Sequence, residues 1–356
     1  MSGDYRLPMV RRDLRRAEQA IVRACETAGD ATALRVAVID LLRRAVGFDG
    51  HVWVLTDPET TVGCAPYAEV PALADLSSVV RARYLTPELR WTTLPTPARL
   101  SDLSPDQAIV WRAALAPYDV RDVACISYAD RHGTWAFLDL WRVGGVFTDA
   151  EMELLTRTRG AVTEAVRRRQ AATMSDLPTV SGEQSGPGVL LVDDDLRIVG
   201  DTDTAVDWLA RLLPPSAGQP PVPAVVLNVA AQLLAREAGV DGNPAHARVH
   251  LGGGRWITAR ADRLRPGRGQ LLIAVSLEET TPLDRLDVYT RVFGLTGRET
   301  EIVRLLATGL DTHAVADRLS LSPHTVQDHL KSVFERTGTR SRPVLLSRGL
   351  GVSPPG

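Results

Sequence analysis

The segment "LSPHTVQDHLKSVF" (321–334) constrains the fold of this chain more than any other. Ser322 is of a type preferred at helix N-caps, and Pro323 is favoured at the first helical position. Apolar residues follow at i, i+4, i+7 and i+8, namely Val326, Leu330, Val333 and Phe334. This spacing places them on one side of a helix and leaves polar side chains on the other. We therefore predict an amphipathic helix with a polar outer face.

Two shorter helices are predicted just before this one. In "LTGRETEIVRLLATG" (295–309), Thr296 suits an N-cap position, and Glu299, three residues later, completes a capping box. "THAVADRL" (312–319) is a short second helix that is followed by a tight turn. Two short helices joined by a tight turn, the second with a polar outer face, form the helix-turn-helix plan of many DNA-binding proteins.

Across residues 291–350 the pattern LTxRExEI…A.G…..VA..L.LS..TV..HL…F…G..SR resembles the DNA-binding domain of LuxR-type regulators. The resemblance implies an all-α, tetrahelical helix-turn-helix domain over 288–351. Its fourth helix, roughly Pro343 to Leu350, would serve dimerisation. The chain departs from the family at four positions: Asp328, Glu335, Thr337 and Thr339. These departures imply weaker phosphate affinity and selective binding.

The polar face of the third helix holds the residues expected to reach base edges. They are His324, Gln327, Asp328 and Lys331. Glutamine matches adenine N6 and N7, and aspartate accepts from cytosine N4. Lys331 is the only lysine in the chain. Its flexible stem and compact charge suit guanine O6 and N7 or a flanking phosphate.

Contacts to DNA phosphates are expected from a second set of residues. They are Ser322, Thr325, Arg336, Arg340 and Arg342. Nine basic and six acidic residues lie between 291 and 350, a net charge of +3, whereas the whole chain carries −2. The rest of the chain is therefore at −5, and a basic module on an acidic body is the distribution that a DNA-binding protein needs.

The first part of the chain alternates helices and strands. The run "VACISYADRHGTWAFLDLWR" (123–142) is predicted to be a β-hairpin, and a long helix follows with Thr148 and Glu151 in a capping box. This order, and "GTWAFLDLWRVGGVFTDAEMELL" in particular, resembles a GAF domain. The resemblance implies an α/β sensor domain over 1–172.

A second α/β domain is predicted after a linker. Residues 173–187 are small, polar and contain Gly and Pro, which is typical of a linker. The run "LLVDDDLRIV" (190–199) then predicts two strands joined by an acidic turn. Paired strands are predicted further on, in "ARVHLGGGRWITARADRL" and "GQLLIAVSLEE". The order resembles a PAS-type fold over 188–284.

One strand of the first domain has the composition of a ligand-binding surface. Alternate residues of "TWAFLDLW" share a face, which groups Trp135, Phe137, Asp139 and Trp141. A carboxylate among aromatic side chains needs a partner or a ligand. We hypothesise that this face lines a small-molecule pocket, with Trp53 nearby. The alternative is that Asp139 is hydrogen-bonded internally or lies at an exposed edge.

Several classes of protein are excluded by what the chain contains. With one lysine, which lies in the predicted DNA-binding helix, P-loop, pyridoxal and phosphorelay-receiver chemistry lack their essential residue. The three cysteines lie far apart, and neither GxSxG nor HExxH occurs. We therefore expect no enzyme activity, no cofactor and no metal site. No apolar run has the length of a signal peptide or a membrane span, so we expect a cytoplasmic protein that does not contact membranes.

The sequence thus predicts a DNA-binding transcriptional regulator, whose partners are double-stranded DNA, a second copy of the chain, and a small molecule or protein bound by the sensor domains. Dimerisation is expected along an apolar seam of the helix over 148–170 and the N-terminal helix. One alternative is an adaptor with a degenerate DNA-binding domain, for which Asp328 and Glu335 are the main argument. Another is an autoinducer receptor, although residues 50–100 lack the expected aromatic and Asp-Pro pattern.

Overall fold

The computed structural model describes residues 6–72, 75–175, 186–212, 223–265 and 271–352. The chain divides into two compact units. The first comprises Met1–Val166, Pro187–Ala247 and Ala259–Leu277, and the second comprises Arg167–Gly186, Arg248–Thr258 and Glu278–Gly356. Of the predicted linker, residues 176–185 lie outside the described part. No helix in the described residues combines the length and apolar character needed to cross a membrane.

The first half of the chain folds around a five-stranded antiparallel sheet of order β2-β1-β5-β4-β3. Its elements are α1 (Arg6–Thr27), α2 (Ala31–Ala45), β1 (Gly50–Thr56), β2 (Gly63–Glu69), α3 (Leu76–Leu85), β3 (Ala98–Arg99), α4 (Ile109–Leu115), β4 (Asp122–Asp130), β5 (Gly133–Arg142) and α5 (Asp149–Thr173). The central strand β5 is buried from residue 134 to residue 141. Because both of its faces are covered, its sequence is apolar almost throughout.

Helix α5 begins as its capping box predicts. The Thr148 backbone N–H donates to the Glu151 carboxylate over 2.7 Å, and the Glu151 N–H donates back to Thr148 Oγ1 over 3.4 Å. The apolar stripe of this helix is buried within the chain: Leu154, Leu155, Val162, Ala165 and Val166. The expectation that this stripe forms a free seam for a second copy is therefore wrong, because its side chains already pack in the core.

A second five-stranded antiparallel sheet has the order β7-β6-β10-β9-β8. Its elements are β6 (Gly188–Val192), β7 (Ile198–Asp201), α6 (Asp203–Leu212), α7 (Ala224–Glu237), β8 (His246–Gly252), β9 (Arg255–Leu264) and β10 (Leu272–Glu279). Counted within each sheet, the two orders are the same: second, first, fifth, fourth, third strand. The acidic turn predicted between β6 and β7 is confirmed, since Asp193 Oδ1 accepts from the Asp195 and Arg197 amides.

A buried polar network joins the two sheets inside the first unit. The Arg90 guanidinium donates to Asp241 Oδ2 over 2.6 Å, to Gln232 Oε1 over 2.8 Å and to the Tyr84 carbonyl over 2.5 Å. Arg90 is 2% exposed. Helix α7 is buried from Ala224 to Ala235. These contacts tie the segment after α3 to α7 and the loop that follows it, inside the first unit. The predicted bounds of the two sensor domains stay a prediction.

The C-terminal part of the chain is all helical. It contains α8 (Pro282–Val292), α9 (Gly297–Ala307), α10 (Thr312–Leu319), α11 (Pro323–Thr337) and α12 (Arg342–Leu350). The core between α9, α10 and α11 consists of apolar side chains: Ile302, Leu306, Val315, Ala316, Val326 and Leu330. These positions recur at helical spacing in the sequence, so periodicity alone predicts them.

Candidate nucleic-acid interface

The turn between α10 and α11 is as short as the sequence predicts. Ser320 takes a left-handed conformation (φ 54°), and the Leu321 N–H donates to the Ala316 carbonyl over 2.9 Å. This ends α10 with the backbone pattern common at helix C-termini. Two residues later α11 begins, so α10 and α11 pack against each other as a helix-turn-helix.

The first turn of α11 is organised by two hydroxyl groups. Ser322 is the N-cap, and its Oγ accepts from the Thr325 N–H over 3.1 Å. The two side-chain oxygens also lie 2.9 Å apart. Ser322 is exposed and Thr325 is half-buried. The unsatisfied amides of a helix N-terminus favour a phosphate at this end.

The four predicted base-facing residues lie together on the exposed side of α11. At 100° per residue, positions 324, 327, 328 and 331 fall within a sector of about 100°. All four side chains are exposed: His324, Gln327, Asp328 and Lys331. His324 Nε2 lies 3.8 Å from Asp328 Oδ2. Lys331 has no hydrogen bond or ion pair with the described residues, so its ammonium group is available to an external partner.

The flank of α11 beside its exposed face is fixed to α9 by Glu299. This carboxylate is 3% exposed, accepts from the Thr296 N–H over 2.7 Å and accepts from Ser332 Oγ over 2.6 Å. Burial alone would raise the pKa of Glu299, but the hydrogen bonds from Ser332 and Thr296 outweigh it and lower the pKa below 4.5. The capping box is therefore confirmed, while the bond to Ser332 has no signal in the sequence.

The three arginines expected at phosphates have different surroundings. Arg342 donates to the Leu306 carbonyl over 3.3 Å and to the Leu310 carbonyl over 2.5 Å, so it closes the C-terminal end of α9. Arg336 donates to the Gly294 carbonyl over 3.3 Å. Arg340 is exposed and has no partner among the described residues. Arg340 is thus the least constrained of the three.

Two of the departures from the family pattern compensate each other. Thr337 and Thr339 are buried, and their hydroxyl oxygens lie 2.8 Å apart. Thr337 Oγ1 also donates to the Val333 carbonyl over 2.8 Å. The two hydroxyls therefore satisfy each other where apolar side chains are common in the family, and they leave the outer face of α11 unchanged.

Helix α12, expected to serve dimerisation, packs against α8. The Arg285 guanidinium donates to the carbonyls of Arg348 and Gly349 at the end of α12. A Cβ atom at Gly349 would lie 2.5 Å from Leu286 Cδ1, so glycine permits this close approach. The sequence gives no sign that α8 covers this side of α12.

The residues predicted to line a ligand pocket are divided by the first sheet. Asp139 is 3% exposed and forms an ion pair with Arg83, whose Nε and Nη2 lie 2.9 and 3.3 Å from its oxygens. Trp53 pairs with Leu138 in the register of β1 and β5, which places it on the face opposite Phe137 and Asp139. Trp53 stacks on Tyr128 there.

The aromatic face itself is filled by protein groups. The Arg83 guanidinium lies 4.3 Å from the ring centre of Trp111 and 5.1 Å from that of Trp91. Phe137 stacks on Trp91, and Trp141 belongs to the same core as Trp111. Trp135 is fully buried. Asp139 therefore has a protein partner that sequence alternation did not reveal, since Arg83 lies on α3.

Comparison with protein families agrees with this geometry. The model of the luxR family of bacterial regulatory proteins (GerE) matches residues 294–348, which cover α9, α10, α11 and most of α12. No curated protein matches the chain. The matched region supports a DNA-binding transcription regulator. Residues 294–348 of this chain are a helix-turn-helix domain of the luxR family of bacterial regulatory proteins.

Proposed function

We propose that this chain regulates transcription by binding a specific DNA sequence through the exposed face of α11. The observation that carries the proposal is the clustering of His324, Gln327, Asp328 and Lys331 on that face. Gln327 would read adenine, Asp328 would read cytosine, and Lys331 would read guanine or hold a flanking phosphate. Each good bidentate contact of this kind discriminates by about 1–3 kcal/mol against the wrong base.

Backbone phosphates would orient the helix in the major groove. The α11 N-terminus with Ser322 and Thr325 offers amides and hydroxyls, and Arg340 offers a guanidinium that pairs with nothing in the described part of the chain. Arg336 and Arg342 would contribute charge while their side chains hold the domain together. Such contacts fix register and carry no sequence information of their own.

We also propose that the protein acts as a homodimer on a two-fold site. One helix-turn-helix makes few base contacts, and dimers of such domains bind half-sites about one helical turn apart. With the α5 stripe buried, the dimer surface must lie elsewhere; α12 is the candidate that the family resemblance names. Action on the chromosome agrees with the predicted cytoplasmic location.

The two sheets are proposed to form the sensory part of the protein. Two antiparallel sheets of the same strand order, each with helices, agree with a GAF-like domain over 1–172 and a PAS-like domain over 188–284. The Arg83–Asp139 pair removes the main reason to place a ligand on the aromatic face of β5. A signal molecule or partner protein would act on the shared interior of the first unit.

A second candidate function is an adaptor that acts through protein contacts. It is favoured by Asp328 and Glu335, two carboxylates on the exposed face of α11 that would face DNA phosphates. The experiment that separates the two functions is selection of bound fragments from random DNA by the full chain. We expect enrichment of a two-fold sequence, whereas an adaptor would enrich none.

A further inference from the structure

A cleft of about 510 Å³ opens on the first unit between α3 and the turn that joins β6 to β7. Its walls come from α3, from the turn between β6 and β7, from the end of α7 and from β9. Small-molecule sites typically enclose roughly 300–1,000 Å³ and favour junctions of this kind. None of the residues predicted from the sequence to bind a ligand lines this cleft.

One side of the cleft is a fixed network of charges. Arg263 donates from Nε to Glu237 Oε1 over 2.9 Å, from Nη2 to Glu237 Oε2, and from Nη1 to Asp194 Oδ1 over 2.6 Å. These hydrogen bonds, that with Glu237 foremost, raise the pKa of Arg263. The network holds the rim of the cleft in place and leaves Asp194 Oδ2 without a partner in the described part of the chain.

Arg81 presents unused donors to the same cleft. Its Nε donates to the Asp194 carbonyl over 2.7 Å, which fixes the guanidinium beside the β6–β7 turn. Within the described residues, Nη1 and Nη2 of Arg81 have no acceptor. A guanidinium with both terminal nitrogens free is suited to a carboxylate, which accepts two parallel hydrogen bonds.

The remaining wall of the cleft is apolar. It includes Leu85 of α3, Leu234 of α7 and Leu271, which precedes β10 and is 55% exposed. The charged lining balances, since Arg81 and Arg263 face two carboxylates. A ligand with a net charge would leave one of these groups uncompensated, whereas a ligand with one positive and one negative group would not.

We propose that this cleft binds a small zwitterion with an apolar side chain, of the class of aliphatic α-amino acids. The ligand carboxylate would bind the terminal nitrogens of Arg81, its ammonium group Asp194 Oδ2, and its side chain the three leucines. The inference rests on the proposed sensory role of the two-sheet unit, for which it names the signal. Helix α3 follows β2 of the first sheet in the chain, whereas the other lining residues lie on elements between β6 and β10. A bound ligand would therefore contact both halves of the first unit.

The test uses the full chain and L-leucine as the probe, measured by titration calorimetry and by the shift in melting temperature. Two analogues serve as controls: 4-methylpentanoate lacks the amino group, and 3-methylbutylamine lacks the carboxylate. We expect L-leucine to bind and to raise the melting temperature. Each analogue should bind at least about tenfold more weakly, because one charged group of the cleft then has no partner of opposite charge in the ligand.

Substitutions in the cleft test whether Arg81 binds the ligand carboxylate and Asp194 its ammonium group. Arg81→Ala should weaken leucine binding about tenfold or more, and Arg81→Lys should recover part of the loss. Asp194→Asn should weaken leucine but not 4-methylpentanoate. Arg121→Ala, which removes an exposed arginine elsewhere in the first unit, should change nothing. Melting without ligand shows whether each variant is folded.

The proposal is overturned if none of leucine, isoleucine and valine binds. It is also overturned if 4-methylpentanoate binds as tightly as leucine, or if both Arg81 variants bind leucine as the wild type does. DNA binding is measured on the same preparations. If the protein binds DNA but binds no amino acid, only this inference is overturned. If it binds an amino acid but binds no DNA, only the proposed regulatory function is overturned.

Discussion

Ser332 on α11 donates a 2.6 Å hydrogen bond to the buried carboxylate of Glu299 on α9. The same carboxylate accepts from the Thr296 N–H and so closes the capping box of α9. Ser332 directly follows Lys331 in the chain. The position of the exposed side chains of α11 therefore depends on a buried anion in the interior of the domain.

Replacement of Glu299 by glutamine should destabilise the helix-turn-helix domain. Glutamine keeps the shape but loses the charge that strengthens the bonds from Ser332 and Thr296, at a cost of about 1–3 kcal/mol. Denaturant unfolding followed by circular dichroism measures the effect. The matched control is Glu301→Gln, because Glu301 is exposed and, among the residues that the structure describes, pairs with Arg298 alone; its cost should stay below about 1 kcal/mol. Equal effects in both variants would contradict the role given to Glu299.

The contribution of Glu299 should also depend on pH. Its pKa in the folded chain lies below 4.5, the value taken for the unfolded chain, so its ionised form stabilises the fold. The stabilisation is fully present above pH 4.5 and is lost as the pH falls through the folded pKa. The stability difference between wild type and Glu299→Gln should therefore be constant near neutral pH and shrink in acid. A difference that grows as the pH falls would have the wrong sign.

The buried pair of Arg83 and Asp139 makes the first sheet sensitive to a single substitution. Asp139→Asn leaves the Arg83 charge buried without compensation, which should destabilise the chain by about 3–5 kcal/mol. The control is Asp102→Asn, since Asp102 pairs with Arg99 but is 51% exposed. Chemical unfolding followed by tryptophan fluorescence reports on this unit, because Trp91 and Trp111 lie against Arg83. If the free energy of unfolding falls by less than about 1 kcal/mol, a group other than Asp139 compensates the charge of Arg83.

The close contact between α8 and α12 predicts a specific pattern of rescue. Gly349→Ala should destabilise the C-terminal helices by about 1–3 kcal/mol, because the new methyl group would overlap Leu286. Combined with Leu286→Ala, which frees the space, the two substitutions should be less harmful than the sum of their separate effects. Gly297→Ala is the control, since a Cβ atom there meets nothing within 4 Å. Strict additivity would argue against the packing of α8 on α12.

The helix-turn-helix could be predicted from sequence because each of its parts has a local cause. Thr296 with Glu299, and Ser322 with Pro323, mark helix starts that short-range hydrogen bonds determine. The apolar spacing of α11 needs no knowledge of the partner helices. Once the apolar face of α11 is predicted, the remaining positions, Lys331 among them, are predicted to form its exposed face.

The contacts that sequence did not predict join residues distant in the chain. Alternation along β5 groups Phe137 with Asp139, but it does not reveal that Arg83, 56 positions earlier, neutralises the carboxylate. Strand register, which depends on pairing between β1 and β5, decides that Trp53 lies on the other face. The buried network of Arg90 likewise depends on its ion pair with Asp241, which lies 151 positions later in the chain.

The central claim is that the exposed face of α11 reads bases, and Lys331→Ala tests it most directly. Binding of wild type and variant is measured on a selected two-fold fragment, on all single-base changes of one half-site, and over a range of salt. We predict a loss of about 1–3 kcal/mol and relaxed preference at one position in each half-site, with the salt dependence unchanged. A uniform loss on every sequence, with a salt slope smaller by about one, would assign Lys331 to a phosphate. Unchanged affinity and preference on that fragment would contradict the claim.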